Sequence, residues 1–246
     1  MNIIGLGKAG CKIAKELEKF NQYTVFCINT QQDAPGSYVR VAEQNSHEDY
    51  EKNHTPVDLP ISSDPVTFIM CGSGAISGCA LRVLEELKKN KVTVLYVKPD
   101  PSGLSKEAKM RDRVTFGVLQ QYARSDALEK IYVIDNKKVE DVIEDLSIES
   151  YWDDINRVIS STYHMINVFD NTEALLTNFS PIVRTAKIAT IGVVNFETKK
   201  EKLFYDLKMA RNKRYFFGIN KNFLKDNKNL LNDVRQLMSE KSDERT

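Results

Sequence analysis

The segment Val66–Lys89, VTFIMCGSGAISGCALRVLEELKK, decides how the rest of the chain is read. Val66, Phe68, Ile69 and Met70 make a short apolar run of strand length. Gly72, Gly74 and Gly78 follow with Ser73 and Ser77 between them, and Leu81, Leu84 and Leu87 then recur at helical spacing opposite Glu85, Glu86, Lys88 and Lys89. The pattern predicts a buried strand, a glycine loop and an amphipathic helix. Glycine lets a ligand approach the backbone closely, and the helix start offers unpaired N–H groups and a positive dipole end. Such a turn suits a phosphate. It equally suits a tight strand-to-helix connection with no ligand, so the neighbouring segments have to choose.

Upstream, Met1–Ile4 is a strand ending in Gly5-Leu6-Gly7-Lys8-Ala9-Gly10, and a helix with Ile13, Ala14, Leu17 and Phe20 on one face follows. This is a GxGxxG in the strand–turn–helix context that nucleotide-binding folds use. Residues 23–28 (YTVFCI) form the second strand, ending at Asn29. A dinucleotide fold places an acidic residue there for the ribose; Asn29 is not acidic and Asp33 comes late. Residues 35–65 are polar and punctuated by Pro35, Gly36, Pro56, Pro60 and Pro65, with one short strand around Tyr38, Val39 and Val41. The run QNSHEDYEKNH with His47 and His54 is read as a solvated loop, since nothing fixes its histidines as metal ligands.

Downstream, residues 92–97 (VTVLYV) are a buried strand leading into Lys98-Pro99-Asp100-Pro101. Ser105 then caps a helix carrying Glu107 and Arg111 one turn apart. Residues 130–134 (KIYVI) form another strand, ending in Asp135-Asn136 before a short helix with Val139, Val142 and Ile143. Strands alternating with helices at this rhythm predict a parallel sheet covered on both faces, whose ligands sit at the carboxyl ends of the strands. The Gly5–Gly10 loop, Asn29, the Gly72–Gly78 loop and Asn136 all fall on that rim, which favours a ligand site over a bare turn.

Residues 149–169 are read as a long helix that is apolar on more than one side, interrupted by Asn156 and by His164, which is read as a satisfied core or interface residue. Trp152, near its start, either stacks on a base or plugs the core, as does Tyr151. Beyond it, residues 186–196 are expected as a strand, 197–211 as a helix, 214–219 as a strand and 230–238 as an amphipathic helix. The division expected is a nucleotide-binding domain at 1–148, a central helix at 149–169 and a small α+β domain at 170–246.

Composition narrows the class further. A chain of 246 residues that is 41% hydrophobic has enough apolar residues for a sizeable core, and a net charge of +1 argues against a duplex nucleic acid partner. Cys11, Cys27, Cys71 and Cys79 make no CxxC pair and look like small buried thiols of a reducing compartment. No apolar run approaches the length of a membrane span, and the first residues already form strand and loop. The expectation is therefore a cytoplasmic protein without a signal peptide.

At this point the sequence resembles the tubulin/FtsZ superfamily of GTP-binding cytoskeletal proteins, from Met1 to about Phe196. CGSGAISG at 71–78 is similar to that superfamily's GGGTGTG or GGGTGSG signature, with Gly74, Ser77 and Gly78 on its Gly, Thr/Ser and Gly positions. VIDNKKVEDVI at 133–143 resembles the tubulin segment whose asparagine contacts the nucleotide, which would be Asn136. SYWDDINRVISST at 150–162 resembles the start of the tubulin central helix, whose asparagine bonds guanine, which would be Asn156. GLGKAGCKI at 5–13 fits the first glycine loop, and VKPDPSGLSKEAKMR fits the sugar-side loop and the helix after it, with Glu107 and Arg111 on the family's Glu and Arg.

The resemblance implies a Rossmann-like parallel sheet with a central helix and a reduced C-terminal domain. It implies GTP or GDP as ligand, with Mg2+ as candidate counter-ion, and head-to-tail self-association or pairing with a related filament subunit. The nucleotide would be held by Gly5, Gly7, Lys8, Gly10, Cys11, Lys12, Asn29, Gly72, Ser73, Gly74, Ala75, Ile76, Ser77, Gly78, Pro99, Glu107, Arg111, Asn136, Trp152 and Asn156. In three places the chain departs from the pattern. Residues 42–65 contain no glycine, where the family has a helix and a loop that senses the terminal phosphate. Ala75 and Ile76 replace the signature's first threonine and central glycine. Asn178 stands on the principal acidic position that orients water, with Pro181 near the second, and an amide carries no charge to polarise that water. Weak or absent hydrolysis is therefore expected. A non-catalytic relative that partners another assembly, and a Rossmann-type NAD(P)-binding protein, are the alternatives.

Overall fold

The computed structural model describes residues 1–31, 37–61, 64–143, 147–173, 187–208, 210, 212–220, 222 and 228–243. Its centre is a parallel sheet of seven strands: β1 (Asn2–Leu6), β2 (Thr24–Asn29), β3 (Tyr38–Arg40), β4 (Val66–Met70), β5 (Val92–Lys98), β6 (Lys130–Asp135) and β7 (Ile188–Ala189). They lie in the order β3-β2-β1-β4-β5-β6-β7. β1 pairs with both β2 and β4, so Leu6 stands between Ile28 and Met70. The chain thus winds outward in one direction from β1 to β3 and in the other from β4 to β7. The switch in direction falls between β1 and β4, where such sheets open a crevice for ligands.

Each face of the sheet carries its own core. Ile4, Phe68, Met70, Val94, Tyr96 and Val133 face α3 (Ala80–Glu86) and α4 (Lys106–Arg124). Ile3, Ile69, Leu95, Val97 and Ile134 face α1 (Gly7–Leu17), α5 (Asn136–Glu140) and α6 (Tyr151–Asp170). Burial on both faces explains why these strands read as continuous apolar runs rather than alternating ones. The Ser105 cap is present, its hydroxyl accepting from the Ala108 N–H at 3.2 Å. His164 stacks on Phe20 with ring centroids 3.6 Å apart and lies 2.9 Å from the Tyr23 hydroxyl, which ties α6 to the end of α1.

Four stretches differ from the expectation. The polar run at 42–65 is not all loop: His47–Lys52 forms a helix, α2, whose Ser46 side chain accepts from the Asp49 N–H at 3.1 Å. Its Tyr50 is buried against the sheet's core. Acidic Glu48 and Asp49 in the first turn and Lys52 in the last complement the helix dipole. A helix this short shows no full apolar period, so its sequence reads as loop.

The strand expected at 186–196 is not continuous over its described residues, 187–196. Thr190 interrupts them by donating its hydroxyl to the Val133 carbonyl at 2.9 Å, so β7 stays with the main sheet while β8 (Gly192–Val194) pairs elsewhere. In place of the expected helix at 197–211, residues 197–203 form a turn and a strand, β9 (Glu201–Leu203), antiparallel to β8. The Asn195 side chain accepts from the Glu197 and Thr198 N–H groups, and Lys199 has φ +58°, which together close the hairpin. Phe204 then enters the core completely and bonds backbone to backbone with Ile191 and Asp135. Residues 214–219 make no strand. Phe216 instead stacks on Phe169 of α6 with centroids 5.2 Å apart, so ring packing replaces a ladder. The expected C-terminal helix is present as Lys228–Asp243.

Candidate functional site

The site is built from the carboxyl ends of β1, β4, β5 and β6 and from one side chain of α6. At the end of β1, Gly7 takes φ +69° and opens α1. No side chain caps this helix start and its first turn holds no acidic residue, so its N–H groups and dipole end are left for a ligand or water. The spacing of the glycines has a steric cause. A Cβ on Gly5 would lie 2.5 Å from the Gly10 carbonyl oxygen, and one on Gly10 would lie 2.3 Å from the Ile69 oxygen. The helix start is thereby pressed onto the two central strands. Cys11 is tied inward, its thiol 3.3 Å from the Gly5 oxygen and 3.6 Å from the Ile28 oxygen. Interaction with Cys27 and burial push its pKa up, so the thiol is a packing group. Lys8 and Lys12 are exposed, whereas Asn29, at the end of β2, is buried.

The second loop leaves β4 beside the first. Ser77 is buried and donates its hydroxyl to the Gly72 and Gly74 carbonyls at 2.9 and 2.7 Å. It therefore shapes the loop from inside. The Ser73 carbonyl accepts from Arg111 Nε at 2.9 Å. The loop continues as a tight 3-10 turn, Ala75–Cys79, before α3. Gly78 lies under α2, where a Cβ would come within 1.9 Å of the His47 carbonyl oxygen. Gly74 is exposed. Ile76 turns toward the first loop: a Cβ on Gly7 would lie 2.9 Å from its Cγ2 methyl.

A charged cluster that the sequence reading missed supports this second loop. Asp112 of α4 binds Lys98 Nζ at 2.8 Å and accepts from the Tyr96 hydroxyl at 2.7 Å. Lys98 Nζ also sits 4.6 Å from the centre of the Phe116 ring. The Tyr96 hydroxyl presses on Gly72, where a Cβ would lie 2.0 Å away. The signal was present in the sequence: Tyr96 and Lys98 stand two apart on one strand and so share a face. Nothing in the sequence pairs that face with Asp112, fourteen residues on.

Glu107 is exposed and does not reach the loop; bonding to its own N–H and to Ser105 holds its carboxyl below the usual range. Of the Glu107 and Arg111 pair, only Arg111 touches the loop at 71–78. Pro99 follows β5 and is half-buried. At the end of β6, Asp135 caps α5 by accepting from the Lys137 N–H at 2.9 Å, and desolvation raises its pKa. Beside it, Asn136 has a fully buried Oδ1 with no hydrogen-bond partner. A buried amide oxygen without a donor costs stability, and its position at a strand's carboxyl end fits a donor supplied by a ligand. Asn156 of α6 is buried at 8% exposure, whereas Trp152 is 56% exposed with its ring edge-on to Tyr151. Trp152 is thus no core plug. Asn178 and Pro181 lie outside the described residues. Among the described residues, no group of three or more His, Cys, Asp and Glu could hold a metal ion, and no helix is long and apolar enough to cross a membrane.

No family model matches the sequence, and no curated protein matches it. Solved structures do. The chain is similar to CetZ2 of Haloferax volcanii, solved as a GTPγS-bound protofilament, with 18% identity and a TM-score of 0.52 over 67% of this chain and 57% of that one. It is similar to FtsZ of M. jannaschii, solved as an empty dimer, with 13% identity and a TM-score of 0.54 over 72% of this chain and 56% of that one. A third match is TubZ of Bacillus thuringiensis serovar israelensis, solved as a GTPγS-form protofilament, with 14% identity and a TM-score of 0.51 over 66% of this chain and 56% of that one. The chain thus spans little more than half the length of these proteins.

Proposed function

From the tubulin/FtsZ fold of this chain, we propose that it binds a guanine nucleotide on the rim of its sheet and assembles head to tail, with weak or absent GTP hydrolysis. One observation carries the reading: the buried, unpartnered Oδ1 of Asn136 stands at the end of β6, two strands from the glycine loop of β4. An amide offers both an acceptor and donors, which suits the hydrogen-bonding edge of guanine, and the buried Asn156 offers the same groups. The glycine loops would take the phosphates at the start of α1, with Lys8 and Lys12 adding charge from solvent. Magnesium would enter bound mainly to the phosphates, as this ion usually does. The NAD(P) alternative has less support, because Asn29 offers the ribose no carboxylate.

Assembly follows from geometry of a general kind. A head-to-tail contact between identical subunits builds a filament wherever its rotation does not close a ring. The protofilament arrangements of CetZ2 and TubZ support that mode for a chain of this fold. The division into a nucleotide-binding part at 1–148, a central helix at 149–169 and a small C-terminal part at 170–246 suits it. Turnover is expected well below about 1 per second, because Asn178 carries no charge.

The reading is tested by titrating the purified protein with GDP and ADP by calorimetry, and by pelleting with and without GTP. Guanine is expected to bind at least tenfold better than adenine. Asn136→Ala and Asn156→Ala are each expected to weaken GDP by about tenfold, the worth of one or two hydrogen bonds to a buried site. Equal binding of both bases, or none of either, would overturn it. A second reading, a non-catalytic partner of another assembly, is favoured by Ile76 lying between the glycine loops. Nucleotide binding without any pelletable polymer would select it.

A further inference from the structure

We infer that Cys11 and Cys27 form a reversible disulfide site, a dithiol that a peroxide oxidises and a thiol reductant restores. It holds whether or not the rim of the sheet takes a nucleotide. The backbone brings the two cysteines within reach. The Cys11 Cα lies 2.7 Å from where a Cβ on Gly5 would stand, which puts it within about 4.2 Å of the Gly5 Cα. Gly5 and Cys27 are register partners on β1 and β2, about 4.8 Å apart across the sheet. The first step rises from the sheet and the second lies in it. The Cys11 and Cys27 Cα atoms are therefore about 6.4 Å apart, inside the range of roughly 4.4–6.8 Å that a disulfide spans. The side chains complete the approach. Both belong to the core on the α1 face of the sheet, and the Cys27 Sγ lies 3.8 Å from the Cys11 carbonyl oxygen. The two thiols also hydrogen-bond each other. The other cysteines are tied elsewhere: Cys71 bonds the Ser73 hydroxyl at 3.2 Å, and Cys79, in the core of the opposite face, bonds the Ile76 carbonyl at 3.1 Å.

The pair is chemically unequal. The hydrogen bond from Cys11 and the nearby Lys15 ammonium hold the Cys27 thiol below its ordinary pKa, while Cys11, which keeps the proton, is pushed up. The thiolate is the nucleophile, so Cys27 reacts first. Its sulfur takes one oxygen from hydrogen peroxide, the O–O bond breaks, and the departing hydroxide picks up a proton as water. Cys27 is now a sulfenic acid. Cys11 then gives up its proton, and its sulfur displaces hydroxide from the Cys27 sulfur, which leaves as a second water. Two thiols have lost two electrons and two protons, and the peroxide has become two waters. Both thiols are nearly covered, at 6% and 3% exposure for Cys11 and Cys27. The reaction therefore waits on local opening around α1 and is slow. The bond fastens α1 to β2 close to the helix start, and exchange with an external thiol releases it.

The test treats the fully reduced protein with a small excess of hydrogen peroxide, counts its thiols and maps its bridges by mass spectrometry. The four free thiols are expected to fall to two, with one disulfide joining the peptides of Cys11 and Cys27. Dithiothreitol is expected to restore all four. The Cys71→Ser, Cys79→Ser double variant should lose both of its remaining thiols to the same bond, and Cys27→Ser should form no bridge at Cys11. The wild-type map decides by itself if a variant fails to fold. Four thiols surviving the peroxide would overturn the inference. So would a bridge between other cysteines, or oxidation of Cys27 that dithiothreitol does not reverse. A Cys11–Cys27 bridge that appears only after unfolding in urea overturns it as well, because the fold would then not be what brings the sulfurs together.

Discussion

Gly10→Ala is expected to lower stability by about 3 kcal/mol, at the upper end of what an overpacked site costs. For a chain of this length that is a fall in Tm of roughly 6–12 °C. The added Cβ would lie 2.3 Å from the Ile69 carbonyl oxygen and 3.1 Å from its carbon. The obstacle is backbone, in a strand paired on both sides: Ile69 of β4 stands between Gly5 of β1 and Leu95 of β5. Relief requires moving α1 off the sheet, and α1 buries Ile13, Ala14 and Leu17 there. Gly117→Ala provides the contrast. Nothing lies within 4 Å of a Cβ at Gly117, in the middle of α4, so alanine's helix preference should raise stability by about 0.5–1 kcal/mol. Thermal melts of the two variants should therefore move in opposite directions. A Gly10→Ala protein that melts with the wild type would show that α1 does not need its close seat on β4.

Asp112→Ala is expected to cost about 2–3 kcal/mol. Breaking a buried ion pair by removing one partner costs about 3–5 kcal/mol, and the remaining exposure of 21% for Lys98 and 15% for Asp112 lowers that figure. The variant strands the Lys98 ammonium beside Phe116 and leaves the Tyr96 hydroxyl with only the Asp112 backbone carbonyl, at 3.1 Å. The double change Lys98→Met with Asp112→Ala should recover part of the loss, since it removes the unpaired charge. Urea denaturation gives the energies. The same variant should speed amide exchange at residues 71–74, because Tyr96 supports Gly72 and the neighbouring Arg111 holds the Ser73 carbonyl. An Asp112→Ala protein as stable as the wild type would mean that the ion pair contributes nothing.

Most of the nucleotide-type sheet was legible in the chain before any coordinates. Glycine pattern and apolar runs are local signals, and β1, α1, β2, β4, β5, α4, β6 and α6 all leave them. Legibility fails where the signal is not local. α2 is too short to show a helical period. Strand β9 sits in a segment, ETKKEKLFYDLKMAR, whose charges and leucines suit a helix. It is overruled by Phe204, which finds a core place beside Ile191 and Asp135.

The candidate site divides in the same way. The glycines and Asn136 could be named from residue type and their place at the strand ends, and Asn156 from the resemblance of its segment to the tubulin central helix. What Ser77, Arg111, Cys11 and Ile76 do could not, because each depends on what stands opposite. As far as α6, and α2 apart, the succession of strands and helices and the residues that end the strands could be read along the chain, where a two-residue or 3.6-residue period is written. That Ser77 bonds its own loop, that Asp112 supports it from α4, and that Ile76 closes on Gly7 follow from packing alone. Those contacts join residues separated in sequence, and the packing of α4 and α1 against a common sheet sets their distances.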